Sequence, residues 1–593
     1  MAYIFDIECN GFLEDVTKIH CLVIKDTETG TTRSFLPDQT SESLNQGLKF
    51  LQEADCIIGH NVIKFDIPVI QKLYPWFHVE LHQVVDTLVL SRLIYSDLRD
   101  RDGALITTGT LPSKLWGSHG LKAWGYRLGM LKGEYGEQEN AWDVFTPEML
   151  EYCIQDVHIT HELYNTFLKA NYSQQAIELE HQVAYICARM ERSGWYFNKE
   201  KAAELYADLV QIRNDILKEM TDTFEPLVIE RVSEKTGKPL KPKVIPFNPS
   251  SRQQIAQRLI TKYDWKPKEF TPAGQPKVDE DVLKALPYPE AATLARYFLI
   301  EKRIGQIAEG DNAWLKLERD GVIHGSINTN GAVTGRATHQ SPNLAQVPAV
   351  RSPYGKECRS LFTVPRGFKQ VGVDLAGLEL RCLAHFMHKW DGGAYAETLL
   401  TGKEEDGTDI HSVNQRAAGL PTRDNAKTFA YGFLYGAGDA KLGTIVGGSA
   451  QVGKRLREQF LLALPALASL RGAVSNASKR GYLIGLDGRR LHIRSEHAAL
   501  NTLLQSAGAL ISKQWLIEID LAAQACGLKY GYDGDWTLLG YIHDEVQVAV
   551  REDLAEEFGQ LVVRSAAKAG EFFNFKIPIG ATAKIGNNWA ECH

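Results

Sequence analysis

The chain has 593 residues, 44% hydrophobic and 23% charged, with a formal net charge of −7 at neutral pH. Length and balance describe about three to five ordinary globular units and exclude a disordered or fibrous chain. No run of 18 apolar residues occurs, so no membrane span or membrane partner is expected, and the net negative charge leaves any grip on nucleic acid to local basic clusters.

Ala2–Glu8 opens the chain as an apolar strand without the basic region of a signal peptide. Alternate side chains of a strand share a face, so Asp6 and Glu8 project together. Two adjacent carboxylates are costly to bury unless a cation pairs them, and Mg²⁺ prefers such oxygen ligands. Cys21–Lys25 and Ala54–Gly59 read as further strands, and the run His60 to Asp66 places another acid after a strand-to-helix turn. A helix starts with Thr146 as cap and Pro147 at its first position and runs to about Asn171. Tyr152 and Asp156, four apart, lie on one of its faces. Each acid alone is more often a solvated surface group. Together, four acids and a tyrosine suit phosphodiester hydrolysis by two metals, with Tyr152 orienting the water.

From about 175 to 315 the chain is polar and helix-rich, with helices Ala202–Phe224 and Asp279–Ile304 and a Lys-, Pro- and Gly-rich loop, Lys235–Pro249, between them. Strands and helices mix again from about 318. Val371–Asp374 reads as a strand ending in an acid, followed by a helix from Leu378. Thr422 can cap, and Gly436 end, a helix on which Arg423, Lys427 and Tyr431 form one stripe. That stripe suits a nucleoside triphosphate, although on spacing alone a solvated amphipathic face is the commoner reading. Lys479–Arg494 holds five basic residues against one acid, Asp487, and is a candidate nucleic-acid contact. Leu538–Ile542 and Val546–Val550 flank His543-Asp544-Glu545 as a hairpin with acids at its tip. Asp374 and Asp544, each at a strand end, can share a metal pair. The nine cysteines are scattered and never spaced C-x-x-C, which excludes a zinc site or disulfide framework and fits a reducing cytoplasm.

Asp6-x-Glu8, Asn61 to Phe65-Asp66, and Tyr152 to Asp156 resemble, in order, the three motifs of DEDD 3′→5′ exonucleases of the tyrosine subtype. Asp374 to Arg381, the Arg423/Lys427/Tyr431 helix and His543-Asp544-Glu545 resemble motifs A, B and C of family A DNA polymerases, closest to those of T-seven-like phages. The resemblance implies an α/β and α+β multidomain fold. A ribonuclease H-like exonuclease (1–175) would precede a right hand, with thumb 176–317, palm 318–393 and 500–593, and fingers 394–499. It implies two Mg²⁺ per active site, replaceable by Mn²⁺. Asp6, Glu8, Asp66 and Asp156 would hold one pair; Asp374, Asp544 and the Leu375 carbonyl would hold the other, with Glu545 among the catalytic acids. His411, Arg423, Lys427, Tyr431, Tyr435 and Glu379 would meet the incoming dNTP, and Arg336, Arg359, Gln505 and His543 the DNA.

The implied partners of a monomer are primer-template DNA and dNTPs, together with a replicative helicase-primase and a single-stranded DNA-binding protein. The implied location is the cytoplasm, that of the host if the chain is phage-encoded. Phage relatives carry a long basic thumb insertion that binds host thioredoxin. The matching region here, from Phe224 to Arg252, is short, so thioredoxin is not expected. The competing reading is a DEDD nuclease acting on RNA, with a non-polymerising C-terminal nucleic-acid-binding region.

Overall fold

The computed structural model describes residues 1–37, 42–131, 133–232, 235 and 237–593. The first strand, β1 (Ala2–Cys9), is flanked by β2 (Ile19–Asp26) and β4 (Cys56–Gly59); β3 (Thr32–Phe35) and β5 (Val84–Asp86) complete a sheet of order β3-β2-β1-β4-β5. The β1–β2 and β2–β3 pairs are antiparallel, β1–β4 and β4–β5 parallel. Ile4, Phe5 and Ile7 are all buried, because helices cover the central strand. The helices around it are α1 (Asp66–Leu73), α2 (Thr87–Ile94) and α3 (Pro147–Lys169). The Met149 N–H donates to Thr146 Oγ1 at 3.1 Å, which fixes the start of α3 as expected. The helix stops two residues before Asn171, whose φ is +43°.

The next helix, α4 (Gln174–Ser193), runs from this unit to the rest of the molecule. After α5 (Lys199–Thr223) the structure departs from expectation. Within Lys235–Pro249, expected to be a loop, Pro239–Ile245 is a strand, β7, paired with β6 (Leu227–Val232). Leu227 faces Ile245 and Val228 faces Val244. These aliphatic cross-strand pairs outweigh the loop-like Lys and Pro content. Thr236 lies outside the described residues. The expected helix Asp279–Ile304 is two pieces, Glu280–Lys284 and α6 (Pro289–Ile304). Pro287 and Pro289 lack the N–H that a continuous helix needs.

β8 (Ser326–Asn328) and β9 (Thr338–Gln340) form a separate two-stranded hairpin. β10 (Phe368–Leu375) leads into α7 (Leu378–Asp391), then α8 (Ile410–Ala418) and α9 (Arg423–Leu434). A small hairpin, β11 (Tyr482–Ile484) and β12 (Arg490–His492), precedes the buried helix α10 (Ala499–Ala525). β13 (Trp536–Ile542), β14 (Glu545–Arg551), helix α11 (Ala555–Phe572) and β15 (Ala581–Gly586) complete an antiparallel sheet of order β13-β14-β10-β15, with α10 and α11 on one face.

Within the basic run 479–494, Lys479, Arg480, Arg490 and Arg494 are exposed, but Arg489 is not part of an open face. Arg489 is buried, and its Nη2 lies 2.7 Å from both Glu180 of α4 and Asp487. Lys513 of α10, fully buried, donates to Glu180 at 2.5 Å. Arg494 pairs with Asp100 at 3.0 Å. The buried cations Arg489 and Lys513 tie α4 to the C-terminal half, because a buried charge is stable only when paired, while Arg494–Asp100 is an exposed pair with the N-terminal unit. All nine cysteines are free. Among the described residues no single helix is long and apolar enough to cross a membrane.

Candidate active sites

The first site forms at one end of β1. The Asp6 and Glu8 carboxylates lie within 4.8 Å of each other and of Cys153 Sγ on α3, and that thiol donates to Asp6 Oδ2 at 3.4 Å. Asp66 opens α1 and accepts the N–H of Ile7, the residue between the two acids, at 3.4 Å. Its loop turns through Asn61 at φ +67°. Asp86 fixes that turn by accepting the N–H groups of Asn61 at 2.9 Å and Ile63 at 3.1 Å, while its own N–H donates to His181 of α4 at 2.9 Å. Burial pushes the Asp66 carboxyl up to about 7, and the charges of Asp86 and Asp156 add to it. Asp156 is buried one turn beyond Tyr152, whose ring lies against Trp142 and Tyr135. The five residues picked from sequence therefore gather here. Cys153, Asp86 and His181 belong to no motif and were missed.

The second site sits where β10 meets the β13–β14 turn. Asp374 is in register with Glu545, and the Leu375 N–H donates to the Asp544 carbonyl at 3.0 Å. His543, at φ +60°, makes the turn that presents Asp544. Burial, then Glu545, pushes Asp374 up to about 6, against the pull of His593 and Arg359. Glu545 is itself buried. It accepts Trp589 Nε1 at 2.5 Å and Gln547 Nε2 at 2.7 Å, and lies 3.2 Å from His593 Nδ1. Burial raises its carboxyl, but these partners and Arg359 leave it below the ordinary range.

Arg359 was expected to touch DNA. It is buried instead: its guanidinium lies 4.3 Å over the Trp589 ring and 3.9 Å from Glu545, and its Nε donates to the Pro348 carbonyl at 3.0 Å. It faces the acids from beneath. His593 carries no motif and was not legible in the sequence.

Beside these acids stands α9, capped by Thr422 Oγ1, which accepts the Asn425 N–H at 3.0 Å. Arg423 bridges Asp409 at 3.0 Å and Glu404 at 3.1 Å. Burial alone would raise Asp409, but Arg423, Ser412 and the His411 N–H bring it down to about 2. Lys427 is exposed on the same stripe. The Tyr431 ring lies 6.2 Å from His411 and 6.5 Å from Tyr435. The Tyr435 hydroxyl donates to Glu379, and Arg336 Nη2 lies 3.8 Å from Glu379. Burial raises the Tyr431 phenol, with Glu379 and Asp544 adding to it, so Tyr431 is the member of the stripe that feels the acids. Gln505 is half-buried on α10, one helix turn and more before Ser512, whose hydroxyl donates to the His543 carbonyl.

The family model for "DNA polymerase family A" matches residues 215–591, and that for "3'-5' exonuclease" matches residues 5–171. The chain is a family A DNA polymerase. Its first unit is a 3′→5′ exonuclease domain. The polymerase is 41% identical to the DNA-directed DNA polymerase of Enterobacteria phage T3 and 40% identical to that of Escherichia phage T7, over 99% of both chains in each case. Each alignment has 710 positions against 593 residues here, so at least 117 positions of the relatives have no counterpart in this polymerase. The solved POL domain of Pol1 from M. smegmatis, in complex with DNA primer-template and dNTP, shares the fold. Its TM-score is 0.75 over 99% of this chain and 96% of that one, at 20% identity. A nuclease with a non-polymerising C-terminal region is not favoured, since the polymerase match spans that region.

Both acid clusters fit divalent cations. Carboxyls raised first by burial and then by neighbouring acids, Asp66 to about 7 and Asp374 to about 6, are groups that a bound cation relieves.

Proposed function

We propose that the polymerase extends DNA primers on DNA templates from dNTPs, replicating a phage genome in the host cytoplasm, and removes mispaired 3′ ends at its exonuclease site. The observation that carries this reading is the meeting of Asp374 and Asp544 at adjacent strand ends, with Tyr431 of the Arg423–Lys427–Tyr431 helix near enough to feel Asp544. Asp374, Asp544 and the Leu375 carbonyl would hold two Mg²⁺, with Mn²⁺ able to replace it. Metals held there would supply the charge that acidifies a primer 3′-hydroxyl and neutralises a leaving pyrophosphate. Arg423, Lys427 and His411 take the triphosphate, Tyr431 lies by the sugar and Tyr435 by the templating base. Glu379 crowds the 2′ position against ribonucleotides. Arg336 and Gln505 hold the duplex and His543 the primer end. Arg359 acts from below, keeping Glu545 ionised. In the exonuclease domain Asp6, Glu8, Asp66 and Asp156 hold the metals, and Tyr152 orients the attacking water.

Residues 1–175 are the exonuclease; 176–317 form the thumb, 318–393 and 500–593 the palm, and 394–499 the fingers. The β6–β7 hairpin lies in the thumb, with Arg231, Lys235, Lys238, Lys241 and Lys243 all exposed. Few residues are available there for a docking surface of about 800 Å² per partner. The polymerase therefore works as a monomer without thioredoxin, alongside a helicase-primase and a single-stranded DNA-binding protein.

The test is extension of a primed single strand with Mg²⁺, run with and without dNTPs, and with trap DNA plus or minus thioredoxin. Extension with dNTPs, 3′ degradation without them, and product length unchanged by thioredoxin are expected. No extension would overturn the reading; thioredoxin-dependent lengthening would overturn its last part.

A further inference from the structure

The outer edge of β8 is not bonded to another strand. Ile327 sits opposite His339 of β9, yet its own backbone groups are taken by two side chains from elsewhere. Its N–H donates to Glu191 Oε1 of α4 at 2.7 Å, and its carbonyl accepts Lys64 Nζ at 2.7 Å. Lys64 and Glu191 also pair with each other at 2.5 Å, with both side chains largely enclosed. An edge strand closed in this way is fixed by its two clamps, because each backbone group would otherwise need a new partner.

What the clamp joins matters more than its strength. Lys64 is two residues before Asp66, in the loop that enters the exonuclease site. The hairpin it holds, 326–340, carries Arg336, which reaches toward Glu379 of the polymerase site. His339 Nε2 donates to the Tyr541 carbonyl at 2.8 Å, on the strand that runs into His543 and Asp544. Further back along the hairpin, Asn330 Nδ2 donates to the Arg92 carbonyl of α2 at 2.7 Å, and its Oδ1 accepts Arg489 Nη1 at 3.2 Å. Lys64 Nζ and Glu191 Oε1 are committed to the backbone of Ile327 and to each other, so both act through the hairpin.

We infer that Lys64 and Glu191 are positioning residues that set how the primer 3′ end divides between synthesis and editing. They do so by holding the hairpin, and with it Arg336, in register with the polymerase site. This rests on the reading above that Arg336 grips the duplex. With the clamp intact, Arg336 retains the primer terminus near Asp374 and Asp544. With the clamp loosened, the terminus is held less well there and is cut more often for each nucleotide added.

The experiment measures dNMP released per dNMP incorporated on a correctly paired primer-template, together with degradation of single-stranded DNA by the same proteins. Lys64→Met and Glu191→Gln should raise the release ratio about fivefold, within the range seen for residues that couple sites without touching ligand. Single-strand degradation should stay within about twofold of wild type, and Lys64→Arg, which keeps the charge, should restore the ratio. Arg336→Ala serves as reference and should raise the ratio on its own. If Arg336→Ala raises it while Lys64→Met and Glu191→Gln do not, the inference falls and the reading of Arg336 stands. If Arg336→Ala also leaves it unchanged, both fall. If the clamp variants lose extension and single-strand degradation in parallel, the pair only supports the fold, and the inference is overturned.

Discussion

The two acid clusters solve one electrostatic problem in different ways. At the exonuclease site burial pushes Asp66 up, the backbone N–H groups of Ile7 and of Asp66 itself pull it partly back, and the charges of Asp86 and Asp156 push it up again, with no cation among these influences. At the polymerase site burial and Glu545 push Asp374 up, but His593 and Arg359 pull against them, and Trp589 and Gln547 hold Glu545 as an ion. The polymerase site carries counter-charge of its own, whereas Asp66 depends on what binds beside it. The lesson is that similar sets of carboxylates differ in how much they depend on bound cations, according to what the fold places behind them.

The largest expected effect tests whether the clusters are independent. Asp374→Ala or Asp544→Ala should lower extension by about three orders of magnitude or more while single-strand degradation persists. Asp6→Ala combined with Glu8→Ala should do the reverse. Loss of both activities from either change would merge the two sites. A smaller effect tests the counter-charge. Arg359→Met keeps much of the packing on Trp589 but removes the cation, and should lower extension roughly tenfold with single-strand degradation unchanged. Full extension would mean that His593 suffices to balance Glu545.

The smallest effect concerns stability without metal. A carboxyl raised to about 7 keeps its proton in the folded state, so its contribution is full at low pH and is lost as pH rises through about 7. In chelator, the exonuclease domain should unfold roughly 5 °C lower at pH 8 than at pH 5.5, and Mg²⁺ should restore the difference at pH 8. Scanning calorimetry reads this directly. A midpoint that rises with pH under chelation would place the charge of Asp66 against a cation that the structure does not show beside it.

What was legible in the sequence lay on single elements. Asp6 and Glu8 alternate along one strand, Tyr152 and Asp156 share a helix face, and Arg423, Lys427 and Tyr431 share another, so short-range periodicity grouped them and the order of the motifs along the chain gave each group its role. What was not legible depends on contacts between distant segments. Arg489 reads as one more cation in a basic run until Glu180, 309 positions earlier in the sequence, closes over it. Arg359 reads as a DNA contact until Trp589 is seen beneath it. His593 and Cys153 have no pattern at all. The β6–β7 hairpin was hidden for another reason: its Lys, Pro and Gly residues suggest a loop, and only pairing shows that the aliphatic residues between them face each other.

The enclosed charges around Glu180 decide where this polymerase can be shortened. A fragment that begins at Ser173 would retain Glu180 and keep Lys513 and Arg489 neutralised, even with most of the exonuclease removed. One that begins beyond Gly194 would discard the anion together with the helix that packs on α10, baring Lys513 and the apolar surface around it to water. An editing-free enzyme is thus better made by changing Asp6 and Glu8 than by excision, and any excision that must be made should leave α4 whole.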